Sequence, residues 1–251
     1  MDHAMPHGRA DADRGGYFDA AGRYTEPPPR EFIVGLDLGQ SQDYSAMAVL
    51  EKIMPPPGTW AGDPAKVARY DVGHLGRAPL GTRYPVVVAR TRERIAELDA
   101  LRPRPRITLA IDQTGVGAAV ADMFRERDGP AVFVPIVIHG GDAVGRDGDV
   151  YRVPKRELVG VASVLLHSGR LAIAEALPEA AILKQELTNF KAKIGLSGHD
   201  SYGAADDWRQ SNHDDLVLAV AIAAWAGQHA GGGPIEPVSG ELADFCLRHF
   251  G

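Results

Sequence analysis

The sequence predicts an α/β fold in which a mixed five-stranded central sheet is flanked by helices and carries an added β-hairpin. Three observations point there. Two short apolar runs, Phe32 to Leu36 and Ile107 to Ile111, each end in an acid, Asp37 and Asp112, followed by a Gly-containing turn. A third run, Ala46 to Leu50, begins only a few polar residues after the first, which suits an antiparallel hairpin and is too short for a parallel crossover. Far downstream, Leu216 to Ala226 is apolar on every side, the pattern of a helix packed in the interior.

Each element follows from local signals. Residues 1–30 have no period and end in Pro27, Pro28 and Pro29, a stiff spacer, and are expected to form a disordered N-terminal arm. Residues 31–229 carry the strongly periodic segments and are expected to form one domain, leaving 230–251 as a C-terminal tail with a short helix near Leu242 to His249. After the hairpin, Pro55 to Pro57 and Gly58 mark a loop before a third strand over Lys66 to Leu75. Val87, Val88, Thr91, Ile95 and Leu98 recur at helical spacing over Tyr84 to Leu101, opposite Arg90, Arg92, Arg94 and Glu97, and Pro103 and Pro105 stop that helix.

Ile107 to Ile111 is the fourth strand, and Thr114, Gly115 and Gly117 turn the chain into a helix over Val116 to Arg127. Ala131 to Ile138 is a fifth strand, closed by Gly140 and Gly141, and Gly145 to Gly148 reads as a mobile loop. Pro154 opens a helix that runs to His167 and stops at Gly169. Leu171 to Ala174 is a short strand, and Pro178 begins a helix through Ile182, Leu183, Leu187 and Phe190. Phe190 to Tyr202 alternates apolar and cationic residues and turns at Ser197 and Gly198, which predicts the added hairpin with Lys191 and Lys193 on one face. Three antiparallel strands, helix, strand, helix, strand, then helices is the order of the ribonuclease H-like fold.

Composition excludes several classes. A chain of 251 residues that is 45% hydrophobic can build a real core. Its single cysteine, Cys246, rules out an internal disulfide and a zinc thiolate cluster and fits a reducing compartment. The first 22 residues lack the apolar core of a signal peptide, and the run from Leu216 to Ala226 is far short of the ~20 residues of a membrane helix, so no membrane and a cytoplasmic location are expected. A formal charge of -6 does not advertise a nucleic-acid binder. Clustered carboxylates that hold metal ions would themselves lower the net charge, however, and cations still group locally as Arg102, Arg104 and Arg106 or as Arg152, Lys155 and Arg156.

Three acid positions carry the chemistry: Asp37 at the end of strand one, Asp112 at the end of strand four, and the pair Asp214 and Asp215 at the start of the interior helix. In a ribonuclease H-like sheet strands one and four are neighbours, and the last helix packs across their exits. Acids gathered so closely repel one another unless cations share the site. Oxygen donors without thiolates specify Mg²⁺ or Mn²⁺. Two such ions ~3.5–4 Å apart activate a water and stabilise the leaving oxygen in phosphodiester hydrolysis. The alternative for Asp112 and Asp214 is helix capping. Asp37 has no helix to cap.

In order and spacing, GLDLGQSQDYSAMAVL (35–50), LAIDQTGVGAAVADMF (109–124), VPKRELV (153–159) and NHDDLVLAVAIA (212–223) resemble the nuclease domain of phage large terminase subunits, over roughly Phe32 to Trp225. The resemblance implies metal-dependent endonucleolytic cleavage of double-stranded DNA during genome packaging, by two ions, in the host cytoplasm if the gene belongs to a phage or prophage. It implies Asp37, Asp112 and Asp215 as catalytic residues, and Asp37, Asp112, Asp214 and Asp215 as metal ligands. Asp43 stands where the family often has an acid, and is either a peripheral ligand or a turn residue.

The resemblance has departures. A further acid common one turn after the pair in resolvase-type members is replaced by Leu218, so either the ligands are fewer or His213 contributes. Lys191 and Lys193, with Lys155 beside Pro154, are placed to meet DNA phosphates, the alternative being a solvent-facing edge. No G-x-x-x-x-G-K-S/T occurs, so this chain is not expected to be the packaging motor. A separate packaging ATPase, a small terminase or a portal protein are the implied partners. The rivals are a resolvase-like structure-specific nuclease, an actin-like or sugar-kinase-like phosphotransfer domain suggested by GLDLG, and a scaffold module whose acids are idle.

Overall fold

A computed structural model describes residues 17–18, 24–25, 30–39, 43–55, 66–115, 117–126, 129–196 and 214–230. Two dipeptides, β1 (Tyr17–Phe18) and β2 (Tyr24–Thr25), pair antiparallel within the N-terminal arm. The domain then runs β3 (Glu31–Asp37), β4 (Ala46–Ile53), β5 (Arg69–Arg77), α1 (Tyr84–Asp99), β6 (Arg106–Asp112), α2 (Gly117–Arg125), β7 (Ala131–His139), β8 (Gly145–Asp147), β9 (Val150–Pro154), α3 (Lys155–His167), β10 (Leu171–Ile173), α4 (Ala180–Leu196) and α5 (Asp215–His229).

One sheet of eight strands takes the order β10-β5-β4-β3-β6-β7-β9-β8. Its centre, β5-β4-β3-β6-β7, has β4 antiparallel to both neighbours, while β3, β6 and β7 run parallel. This is the ribonuclease H-like arrangement. Strand β3 is buried on both faces, which is why its sequence reads as a continuous apolar run and not as an alternation. Phe32, Val34 and Leu36 face the layer made by Val87, Val88 and Ile95 of α1 with Val120 and Phe124 of α2. Ile33 faces the other layer, built on α5 with Leu158, Ala162 and Leu165 of α3 and Leu183 of α4.

Helix α5 lies directly against β3 because Gly35 presents no side chain there. A Cβ on Gly35 would stand 2.1 Å from the Ala219 carbonyl oxygen and 2.9 Å from the Ala223 Cβ. The helix is also held at its far end, where Lys52 Nζ donates to the Gly227 carbonyl at 2.9 Å. Trp225, fully buried, meets Tyr151 of β9 edge-on at 5.4 Å between ring centroids. Among the described residues no helix is long and apolar enough to cross a membrane.

The structure departs from the sequence expectations in two places. Gly145–Asp147 is a strand and not a loop, because Gly148 (φ 60°) turns it back onto Val150–Pro154, whose Tyr151 and Val153 are buried while Arg152 is exposed. That hairpin and the short β10 enlarge the predicted five-stranded sheet to eight. The hairpin expected over Phe190 to Tyr202 does not begin where predicted: α4 continues through Leu196. Lys, Ala, Leu and Gln are good helix formers, and two lysines spaced by one residue do not by themselves specify a strand. Positions 197–202 and the side chains of Lys191 and Lys193 lie outside the described residues.

Substituting Gly35→Ala is expected to destabilise the domain by about 1–3 kcal/mol through overpacking between β3 and α5. Chemical denaturation of parent and variant measures it. Equal midpoints and slopes would mean that the helix does not rest on this glycine.

Candidate functional site

Parallel pairing of β3 with β6 aligns Leu36 with Ile111, so Asp37 and Asp112 leave the sheet side by side. Strand alternation turns Asp37 to the same face as Ile33 and Gly35, toward α5. The first turn of α5 brings Asp215 and Asp214 to that end. Asp37 is 8% exposed and Asp215 is 6% exposed, so neither charge is well hydrated. Burial pushes the Asp37 carboxyl well above its ordinary range, and Asp112, Asp215 and Asp214 push it the same way, opposed by Lys155. Among the described residues no hydrogen bond reaches the Asp37 carboxylate.

The other three acids each have a local partner. Asp112 Oδ1 accepts from the Thr114 backbone N–H at 2.8 Å and from the Thr114 hydroxyl, whose oxygen in turn accepts from the Ile138 N–H at 2.9 Å. This is a turn clamp and not the helix cap that the sequence left open, since α2 begins only at Gly117. Asp214 occupies the N-cap position of α5 but makes no side-chain cap bond. Its Oδ2 instead accepts from Lys155 Nζ at 3.1 Å. Asp215 Oδ2 lies 3.7 Å from Arg77 Nη2.

Asp37, Asp112, Asp214 and Asp215 are thus brought to one end of the sheet, with Lys155 among them. Among the described residues no three His, Cys, Asp or Glu side chains already stand together as a ligand set. The three acids nonetheless act electrostatically on Asp37. Asp43 is half-buried where the turn closes, its carbonyl oxygen only 2.3 Å from where a Gly39 Cβ would be, and its carboxylate is not among the groups acting on Asp37. His213 lies outside the described residues.

Two residues at this end escaped sequence reasoning. Arg77, the last residue of β5, pairs with Glu186 of α4 and sits beneath the Tyr44 ring, 5.0 Å from its centroid. Glu186 is 5% exposed. Each had a signal. Strand β5 runs parallel to β3, so a cation at its exit belongs at the acid end, and Glu186 falls three residues after Leu183 on the apolar face of α4.

The raised carboxyl of Asp37 fixes the sign of a pH effect. A carboxyl raised by folding contributes stability that is fully present below its ordinary value near ~4 and is lost as pH rises through its folded value. In EDTA, Asp37→Asn is expected to match the parent below about pH 4 and to become the more stable protein as pH rises. Thermal unfolding across pH tests this, and a variant that is less stable at neutral pH would overturn it.

No family model matches the sequence, and no curated protein matches it. Solved structures do. A Mn-soaked human cytomegalovirus terminase nuclease domain is 11% identical, with 77% of this chain and 82% of that chain covered and a TM-score of 0.47. The inhibitor-bound form of that domain is 10% identical over 78% of this chain and 83% of that chain, with a TM-score of 0.45. Thermus thermophilus RuvC is 15% identical over 82% of this chain and 99% of that chain, at a TM-score of 0.32.

Proposed function

We propose that this chain is a metal-dependent endonuclease that hydrolyses phosphodiester bonds of double-stranded DNA with two divalent ions, in the manner of a terminase nuclease. The observation that carries this reading is Asp37: a buried carboxylate without a hydrogen bond among the described residues, pressed by three other acids. Such a site gains from a divalent cation, and a donor set of carboxylates suits Mg²⁺ or Mn²⁺. Asp37, Asp112 and Asp215 would hold the ions, with Asp214 as a further ligand. Bound there, the ions would supply an activated water and charge stabilisation at the leaving oxygen.

The chain's own residues do the rest. Thr114 holds the Asp112 carboxylate against the exits of β6 and β7, so that it cannot rotate freely away from Asp37. Lys155, poised over the acid end on Asp214, offers an ammonium to a phosphate oxygen of DNA. Lys191 and Lys193, on the later part of α4, are proposed to touch the backbone further along. Arg77 remains beside Asp215 on the β5 flank.

The direct test is nicking of supercoiled plasmid with Mn²⁺, Mg²⁺ or EDTA and without ATP. Cleavage is expected with either ion and not in EDTA, and intact plasmid under all three conditions would sink the proposal. Asp112→Asn keeps the oxygen that Thr114 engages but loses a charge. It is expected to abolish cleavage and to lose much of the Mn²⁺ stabilisation, which in the parent is ~2.7 kcal/mol at 100 times the dissociation constant. Unfolding in EDTA and in Mn²⁺ measures both.

Replacing Lys191 and Lys193 with Ala is expected to weaken DNA binding and to reduce the steepness of its salt dependence by about one to two phosphate contacts. Metal binding should not change. Binding isotherms at several salt concentrations that superpose on the parent's would remove both lysines from the interface.

A further inference from the structure

The buried Arg77–Glu186 pair has no place in the reaction as derived above. Arg77 is 13% exposed at its side chain and Glu186 5%, so the pair is far from an ordinary surface ion pair. Burying two charges is costly unless each makes further bonds. Here each does. Glu186 Oε2 accepts from the Val217 N–H at 3.1 Å, the third amide of α5 and one of the donors that a helix leaves without an intrahelical partner. Glu186 Oε1 takes the Arg77 guanidinium, and the same Nη2 stands 3.7 Å from Asp215 Oδ2. A chain of contacts therefore runs from α4 through Glu186 to both the backbone and the acid of the first turn of α5.

Two observations separate this pair from the acid cluster. Neither Arg77 nor Glu186 is among the charges that act on Asp37, whereas Asp215, Asp214 and Lys155 are. Glu186 is already committed to an amide and a guanidinium, so it is not a spare ligand. The guanidinium is a planar fork whose N–H groups can engage two carboxylates at fixed angles. Held by Glu186, it stands 3.7 Å from Asp215 Oδ2, an ion-pair distance at which its charge biases where the Asp215 carboxylate lies.

We infer that Arg77 and Glu186 are positioning residues: a clamp joining β5, α4 and α5 that sets the Asp215 carboxylate for metal binding. The inference rests on the two-ion reading of the site. It names a role for α4 beyond carrying lysines. It also predicts a sign, because a nearby cation that merely neutralised Asp215 would compete with Mn²⁺, and its removal would tighten binding.

The decisive variant is the double substitution R77M/E186Q, which leaves net charge unchanged and keeps an amide oxygen able to accept from Val217. The readout is the Mn²⁺ concentration giving half-maximal thermal stabilisation, measured in the absence of DNA, with plasmid nicking as a second readout. About a 10-fold or greater rise in that concentration is expected, the loss typical of removing a group that orients a metal ligand. The single variant R77M should move the same way, and R77K less. An unchanged or lower Mn²⁺ requirement in R77M/E186Q overturns the inference while the parent's own Mn²⁺ response keeps the two-ion reading intact. A parent that Mn²⁺ does not stabilise overturns both. Should R77M/E186Q not fold by circular dichroism, R77K decides in its place, and an Mn²⁺ requirement equal to the parent's then overturns the clamp.

Discussion

An ionised carboxylate at Asp37 needs positive charge within a few ångströms, and the surrounding architecture is arranged around that need. Two parallel strand exits and one helix start deliver four acids to the same end of the sheet. Lys155 and Arg77 each stand on the flank of one acid of the α5 pair, and Arg77 is shared with the buried carboxylate of Glu186. Asp112 is held by Thr114, and Lys155 opposes the push of the other acids on Asp37.

Much of this was legible in the sequence. Asp37 and Asp112 were visible because β3 and β6 are buried on both faces and end abruptly in an acid, and a charge after five or so apolar residues has few structural explanations. The pair at 214–215 stood out because it precedes an apolar stretch too long to be anything but an interior helix. The pairing of β3 with β4 followed from spacing, since a gap of a few residues permits only a hairpin, whereas the β3–β6 neighbourhood came from the order of the elements. Each of these signals is local.

What escaped notice depends on contacts across the chain. Arg77 and Glu186 are 109 residues apart and gain meaning only from each other and from Asp215. Strand β9 is five residues long and carries Arg152 and Pro154, so its alternation was too brief to separate from a loop. The residues from Phe190 to Leu196 alternate apolar and cationic types, a pattern that suits a strand, but the backbone follows helix propensity.

Helix α5 is tied at both ends by side chains from other elements: Glu186 holds the Val217 amide and Lys52 holds the Gly227 carbonyl. With Gly35 pressed against its middle, the helix is registered along its axis as well as seated on the sheet. It acts as a gauge block. Adding or removing one residue between those ties would shift the acids by ~1.5 Å and turn them through about 100° relative to β3. The spacing between Val217 and Gly227 is therefore a dimension of the site itself, and changes of length in this helix are constrained more tightly than changes among its alanines, valines and leucines.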